Sequence, residues 1–115
     1  MVSDKINHNK AHMEKVLEKL HNAKRDEIVI KDRDDETGKK PETFFLEVGI
    51  DYSEAINIIK NLSYEDYQYT QLDRMKSYVF MYVFNKDVNS KIAYIKIGFV
   101  KEKTIVISFH QKMYE

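Results

Sequence analysis

Cysteine is absent from this chain, which excludes disulfides and thiolate chemistry. Proline occurs once, inside "DRDDETGKKP", a charged stretch that reads as a loop. No apolar run approaches the roughly 20 residues that cross a bilayer as a helix. The opening residues "MVSDKINHNK" carry no apolar signal core, so the expectation is a cytoplasmic protein without membrane contact. Net charge is missing as well. Lys and Arg number 19 and Asp and Glu number 19, so no overall basic field draws the chain to nucleic acid or a membrane surface. No repeat and no low-complexity segment is visible. With 115 residues there is room for one core, and a single domain over 1–115 is expected. A hydrophobic share of 43% and a charged share of 33% suit a soluble globular protein.

The charge is balanced in total but not in distribution. Residues 1–69 hold 11 Lys and Arg against 15 Asp and Glu, and residues 70–115 hold 8 against 4. An acidic front and a basic back suggest an anionic ligand on the C-terminal half.

Met13, Val16, Leu17 and Leu20 recur at i, i+3, i+4 and i+7, which marks one face of a helix. It is expected to start near Ser3 or Asp4 and to end around Ala23. "DEIVIKD" is a short β-branched run, hence a strand at 27–31. "ETFFLEV" reads as a short helix closed by Gly49. Asp51 opens another, with Glu54 completing a capping box before Ala55, Ile56, Ile58, Ile59 and Leu62. Ser63 and Asp66 repeat that box, so "SYEDYQY" reads as one more short helix. From Ser77 the period changes to two. "SYVFMYVF", "KIAYIKIGFV" and "TIVISFH" are strands joined by the short connections "NKDVNS" and "KEK". The fold class is therefore α+β, with N-terminal helices packed on a C-terminal antiparallel β-meander.

Pairing follows from the turns. With Val100 and Thr104 flanking the last turn, Lys96 faces Ser108 and Tyr94 faces His110. Ile95, Ile97 and Phe99, with Ile105, Ile107 and Phe109, then point to the opposite, core side. For the preceding hairpin, Phe84 opposite Lys91 sets Met81 against Tyr94 and Val79 against Lys96, and sends Phe80 and Tyr82 to the core. The exposed face thus gathers Tyr94, Lys96, Ser108 and His110, with Arg74 and Lys76 just before it. Antiparallel sheets often solvate one face without any function, so the cluster counts for more than its members.

Two chemistries of different class suit it. The first is RNA cleavage without metal, in which a 2′-hydroxyl attacks the neighbouring phosphate. Histidine exchanges protons near neutral pH, lysine offers fixed charge to the transition state, and tyrosine bonds phosphate or stacks on a base. The second is a binding module that recognises a protein partner through the sheet face or the acidic helices. Metal hydrolysis is the weakest reading. His8 and His12 have a chelating i, i+4 spacing, but no "HExxH" is present and a solvated helix face explains them more simply.

"VGIDYSEAINIIKNLSYEDY", "YVFMYVFN", "AYIKIGF" and "TIVISFHQKMY", in that order, resemble the MqsR-type toxins of bacterial type II toxin–antitoxin pairs. In those toxins an "LGI"–helix–"L[ST]xxDYY" block precedes strands ending in "YIKI" and "SFH". The resemblance covers about residues 44–114. It implies a RelE-like α+β fold, a metal-independent endoribonuclease acting on mRNA, no cofactor, and neutralisation by a cognate antitoxin, with no DNA contact by the toxin alone. Carried over by position, Tyr94 sits on the family's active-site tyrosine. Lys96 belongs to the same "YIKI" motif, and His110 occupies the basic place in the terminal strand. These three are the expected catalytic residues. Tyr69, Arg74, Lys76 and Ser108 are the expected RNA contacts. Two positions depart from the family. Tyr69 stands where a lysine is frequent, and Met81 aligns with an active-site glutamine. Lys76 or Arg74 is the candidate for the displaced cation.

Overall fold

Local sequence signals account for most of the helical half. The computed structural model describes residues 5–31, 40–73 and 79–112. Strand β1 (Lys5–Ile6) leads into helix α1 (Lys10–Asn22). The Asn9 side chain caps that helix by accepting from the His12 N–H at 2.9 Å. The helix therefore begins later than Ser3 or Asp4, which lie outside the described residues, because the chain before Asn9 is committed to a strand. Met13, Val16, Leu17 and Leu20 are its buried stripe, as their spacing predicts. Strand β2 (Ile28–Ile30) follows, and helix α2 (Pro41–Val48) closes on Gly49 at φ 74°, a left-handed conformation that glycine adopts without strain. Helix α3 (Tyr52–Lys60) carries both halves of the predicted capping box. Glu54 N–H donates to Asp51 at 2.8 Å and Asp51 N–H donates to Glu54 at 3.1 Å.

The second box, Ser63 with Asp66, encloses only one 3₁₀ turn at Tyr64–Asp66. "SYEDYQY" is not a helix, because from Tyr67 the chain becomes strand β3 (Tyr67–Leu72). Tyrosine and threonine favour an extended, half-buried backbone, and pairing with the next strand overrides the helical start signal. Strands β4 (Phe80–Val88), β5 (Lys91–Val100) and β6 (Lys103–Gln111) complete a six-stranded sheet in the order β1-β3-β4-β5-β6-β2. β2 runs parallel to β6, so the sheet is mixed. It is wider than a three-stranded meander, yet the α+β class stands. The helices cover one face. Met13, Leu20, Ile56, Ile59 and Leu62 meet Phe84, Ile95, Ile97, Val106 and Phe109 there, all of them buried.

Register decides which side chains share the other face. β4 continues through Val88 and turns on Asn89 and Ser90, whose φ angles are 50° and 75°. Two positive φ values are the mark of a two-residue type I′ hairpin. Asn85 therefore faces Tyr94 and Val83 faces Lys96, in place of Met81 and Val79. The displacement is four residues. An even shift preserves the faces, so Tyr82 and Phe80 still point toward the core. Between β5 and β6, Tyr94 opposes His110 and Lys96 opposes Ser108 as expected. Beyond them the register slips, and Ile97 opposes Val106. Ile107 is thus the extra residue of a β-bulge. The slip turns Val106 and Phe109 to the core, while Ile105 and Ile107 are buried outside it. Their expected alternation with Phe109 fails because the bulge inverts the pleat.

One polar circuit lies on the helix-covered face. His8 N–H donates to the Tyr67 hydroxyl (3.2 Å), which meets the Thr70 hydroxyl (2.6 Å), and this in turn meets His8 Nδ1 (2.9 Å). Thr70 is fully buried. Each proton serves one bond when Tyr67 donates to Thr70 and Thr70 donates to His8, which requires Nδ1 to be bare. The His12 ring stacks on His8 with centroids 3.8 Å apart, and its Nε2 meets the Tyr82 hydroxyl at 3.0 Å. Loss of water, followed by the neighbouring His12, holds the His8 pKa below its ordinary 6.5. Burial and then Tyr67 push Tyr82 up to about 12, so it remains a neutral hydroxyl.

Thr70→Val should cost about 1–3 kcal/mol in chemical denaturation, since it strands two polar partners without replacing their bonds. The depressed His8 pKa means that the unfolded chain binds the proton more readily. The stabilisation is complete above about pH 6.5 and is lost as the pH falls. Melting curves at pH 7.5 and 5 should show a smaller acid-induced drop in His8→Gln than in the wild type.

Candidate functional site

The pleat of β5 buries Ala93, Ile95 and Ile97 and sends Tyr94 and Lys96 to the opposite face of the sheet. Across the ladder, His110 lies against Tyr94 and Ser108 against Lys96. The sequence thus anticipates this pairing. The Tyr94 and His110 rings stack, with centroids 5.1 Å apart and planes 19° from parallel. Lys96 Nζ lies 6.0 Å from the Tyr94 ring centre. All four side chains are half-buried, held by neighbours and still open to solvent.

Tyr69 joins them from β3. It pairs with Val83, and Val83 in turn pairs with Lys96. A short valine on the intervening strand lets the two tyrosines reach over it. Their hydroxyls are 3.5 Å apart. Met81 lies further along β4, opposite Gln71 and away from Tyr94. Arg74 and Lys76 fall outside the described residues.

His110 Nδ1 is 2.9 Å from its neighbour's carbonyl, Gln111 O. A carbonyl only accepts, so Nδ1 carries the hydrogen and the neutral ring keeps its lone pair on Nε2. The backbone therefore selects the tautomer of the one histidine on this face among the described residues. Ring stacking fixes the plane in which Nε2 points.

Three members of the site escape the sequence reading. Asn85 faces Tyr94. With its amide turned to satisfy both ends, it donates to Phe84 O and accepts from Lys112 Nζ, each at 3.2 Å. Placing the turn at Asn89–Ser90 would have found Asn85, and extending the β6 alternation from His110 would have found Lys112. The third is Lys5, whose ammonium sits 4.5 Å from the centre of the Tyr69 ring. A two-residue strand carries no usable periodicity, so nothing near Lys5 signals its place.

The other histidines serve elsewhere. His8 and His12 are stacked and bonded on the helix-covered face, so they form neither a solvated helix face nor a chelating pair. Among the described residues no group of three His, Cys, Asp or Glu side chains is arranged to hold a metal ion. His21 Nε2 bonds Leu62 O at 2.9 Å at one end of a cleft of about 410 Å³ lined also by Arg25, Asn57 and Lys60. The Arg25 guanidinium in that cleft is committed to Ser53 and Asn57, and the Lys60 ammonium to Ala23 O. No described helix is long and apolar enough to cross a membrane.

No curated protein matches the chain. A protein-family model does. It is described as motility quorum-sensing regulator, toxin of MqsA, and it matches residues 17–111. That span runs from α1 to the end of β6 and takes in Tyr69, Tyr94, Lys96, Ser108 and His110. The match covers most of the chain, and the chain belongs to the MqsR toxin family, toxins of toxin–antitoxin systems.

Proposed function

We propose that this protein is a metal-independent endoribonuclease that cleaves single-stranded mRNA as the toxin of a toxin–antitoxin pair. Its partner would be a cognate antitoxin of the MqsA kind, which the family description names. The observation that carries the reading is the Tyr94–His110 stack, with Lys96 beside it and the Tyr69 hydroxyl against that of Tyr94.

In the reaction the RNA 2′-oxygen bonds to the adjacent phosphorus and the P–O5′ bond breaks. The 2′ proton goes to a base, and the departing 5′-oxygen takes a proton from a water molecule on this solvent-open face, whose hydroxide then recovers the proton held by the base. The products are a 2′,3′-cyclic phosphate and a 5′-hydroxyl. His110 Nε2, bare in the Nδ1–H tautomer, takes the 2′ proton. The Lys96 ammonium offsets the negative charge that grows on the phosphoryl oxygens, where a pre-placed cation stabilises the transition state more than the ground state. Tyr94, next to both groups, donates its hydroxyl proton in a hydrogen bond to the phosphate. Tyr69, whose hydroxyl lies near that of Tyr94, offers a face on which a base can stack. Ser108 lies opposite Lys96 and adds a neutral hydrogen-bonding group.

Purified protein incubated with a long RNA in EDTA should yield fragments with 2′,3′-cyclic phosphate or 3′-phosphate ends. Activity that vanishes in EDTA and returns with magnesium or zinc would overturn the metal-free reading. His110→Ala should lower cleavage about 10²–10⁴-fold with its melting curve little changed. A variant that melts far below the wild type, with cleavage per folded molecule intact, would make His110 a structural residue. Expression in bacteria should arrest growth, and Tyr94→Phe combined with His110→Ala should relieve the arrest. A folded wild type that neither cleaves RNA nor arrests growth would instead mark the chain as a binding module for a protein partner.

A further inference from the structure

β1 carries Lys5 to the edge of the site. The strand has two residues, and Lys5 pairs with Gln71 while Ile6 pairs with Thr70. Directly opposed residues share a face. Lys5 therefore stands on the side of Gln71 and Tyr69, which is the side of Tyr94 and Lys96. Its ammonium over the Tyr69 ring is a cation–π contact. An isolated strand of this length has no stability of its own. Two residues further on, His8 binds Tyr67 and Thr70 through the opposite face of β3. The N-terminal segment thus wraps the sheet edge, with Lys5 on one side and His8 on the other.

Lys5, Tyr69, Tyr94 and His110 lie on one face along a diagonal from β1 to β6, with Lys5 opposite Gln71, Tyr69 in the rung of Val83 and Lys96, and Tyr94 opposite His110. Three strand spacings of about 4.8 Å set the strands of Lys5 and Lys96 roughly 14 Å apart. The Lys5 ammonium is set over the Tyr69 ring and the Lys96 ammonium beside the Tyr94 ring, so the two cations sit at different rings of the face. We propose that Lys5 is a substrate-binding residue that holds a backbone phosphate flanking the scissile one. In this arrangement Tyr69 is the platform that keeps the ammonium in line with the catalytic stack. The inference rests on the endoribonuclease reading and extends it by defining the direction in which the RNA strand crosses the sheet.

The test measures binding of a fluorescently labelled single-stranded oligoribonucleotide by anisotropy over a salt series. It uses the His110→Ala protein so that the RNA survives. Each phosphate neutralised on a single strand contributes about 0.7 to the slope of log K against log salt. Adding Lys5→Gln should weaken binding and flatten that slope by about 0.7, and Lys5→Arg should restore it. Lys101→Gln, an exposed change in the β5–β6 turn, should leave the slope alone. Unchanged affinity and slope in folded Lys5→Gln would overturn this inference while leaving the function reading in place. Absence of RNA binding by both the wild type and the His110→Ala parent would overturn the function reading and this inference with it.

Discussion

The pairing of β5 with β6 is the constraint on which the rest of the structure depends. A pleated strand sends successive side chains to opposite sides. Burying Ala93, Ile95 and Ile97 under the helices therefore exports Tyr94 and Lys96. The same argument applied to Phe109 exports Ser108 and His110. Core and site are thus two consequences of a single register. A slip of one residue near Tyr94 would bury a lysine and expose isoleucines, and hydrophobic burial opposes it strongly. The polar face is held in place by the apolar face behind it.

Two irregularities adjust that plan. The bulge at Ile107 inverts the pleat just beyond Ser108. Val106 takes the core place that Ile107 would have held, and Ile105 with Ile107 is buried elsewhere. Bulges raise local twist and end regular pairing, so this one closes the polar face of β6 at Ser108. The hairpin at Asn89–Ser90 does the complementary job on β4. It sets Asn85 and Val83 beside Tyr94 and Lys96. Val83 leaves room for Tyr69 to meet Tyr94, which a bulky side chain there would prevent.

The N-terminal segment is tied down by polar rather than apolar contacts. Buried hydroxyls and ring nitrogens are costly unless each is bonded. Among the described residues no buried side-chain nitrogen or oxygen lacks a partner. The circuit of His8, Tyr67 and Thr70 meets that demand, and the segment it anchors carries Lys5. Loss of water holds the His8 pKa low, so acid works against this anchor. The central Tyr94–His110 stack sits on the other side of the sheet.

The sequence by itself determined the features set by near neighbours. The stripe of Met13, Val16, Leu17 and Leu20, the Asp51–Glu54 cap, the left-handed Gly49 and the alternation around Tyr94 are each legible within a few residues. They follow from backbone periods, steric limits and local hydrogen bonds. The shared face of Tyr94, Lys96, Ser108 and His110 was readable for the same reason, since one short turn joins those strands. Tertiary structure alone decided the long-range adjacencies. It brought Lys5 to Tyr69, Tyr69 to Tyr94 across β4, and β2 alongside β6, and it turned an apparent helix after Ser63 into β3. These outcomes depend on which strands pair across dozens of residues. That choice is made by total burial and by satisfying every buried polar group at once, a sum over the whole chain that no short stretch contains.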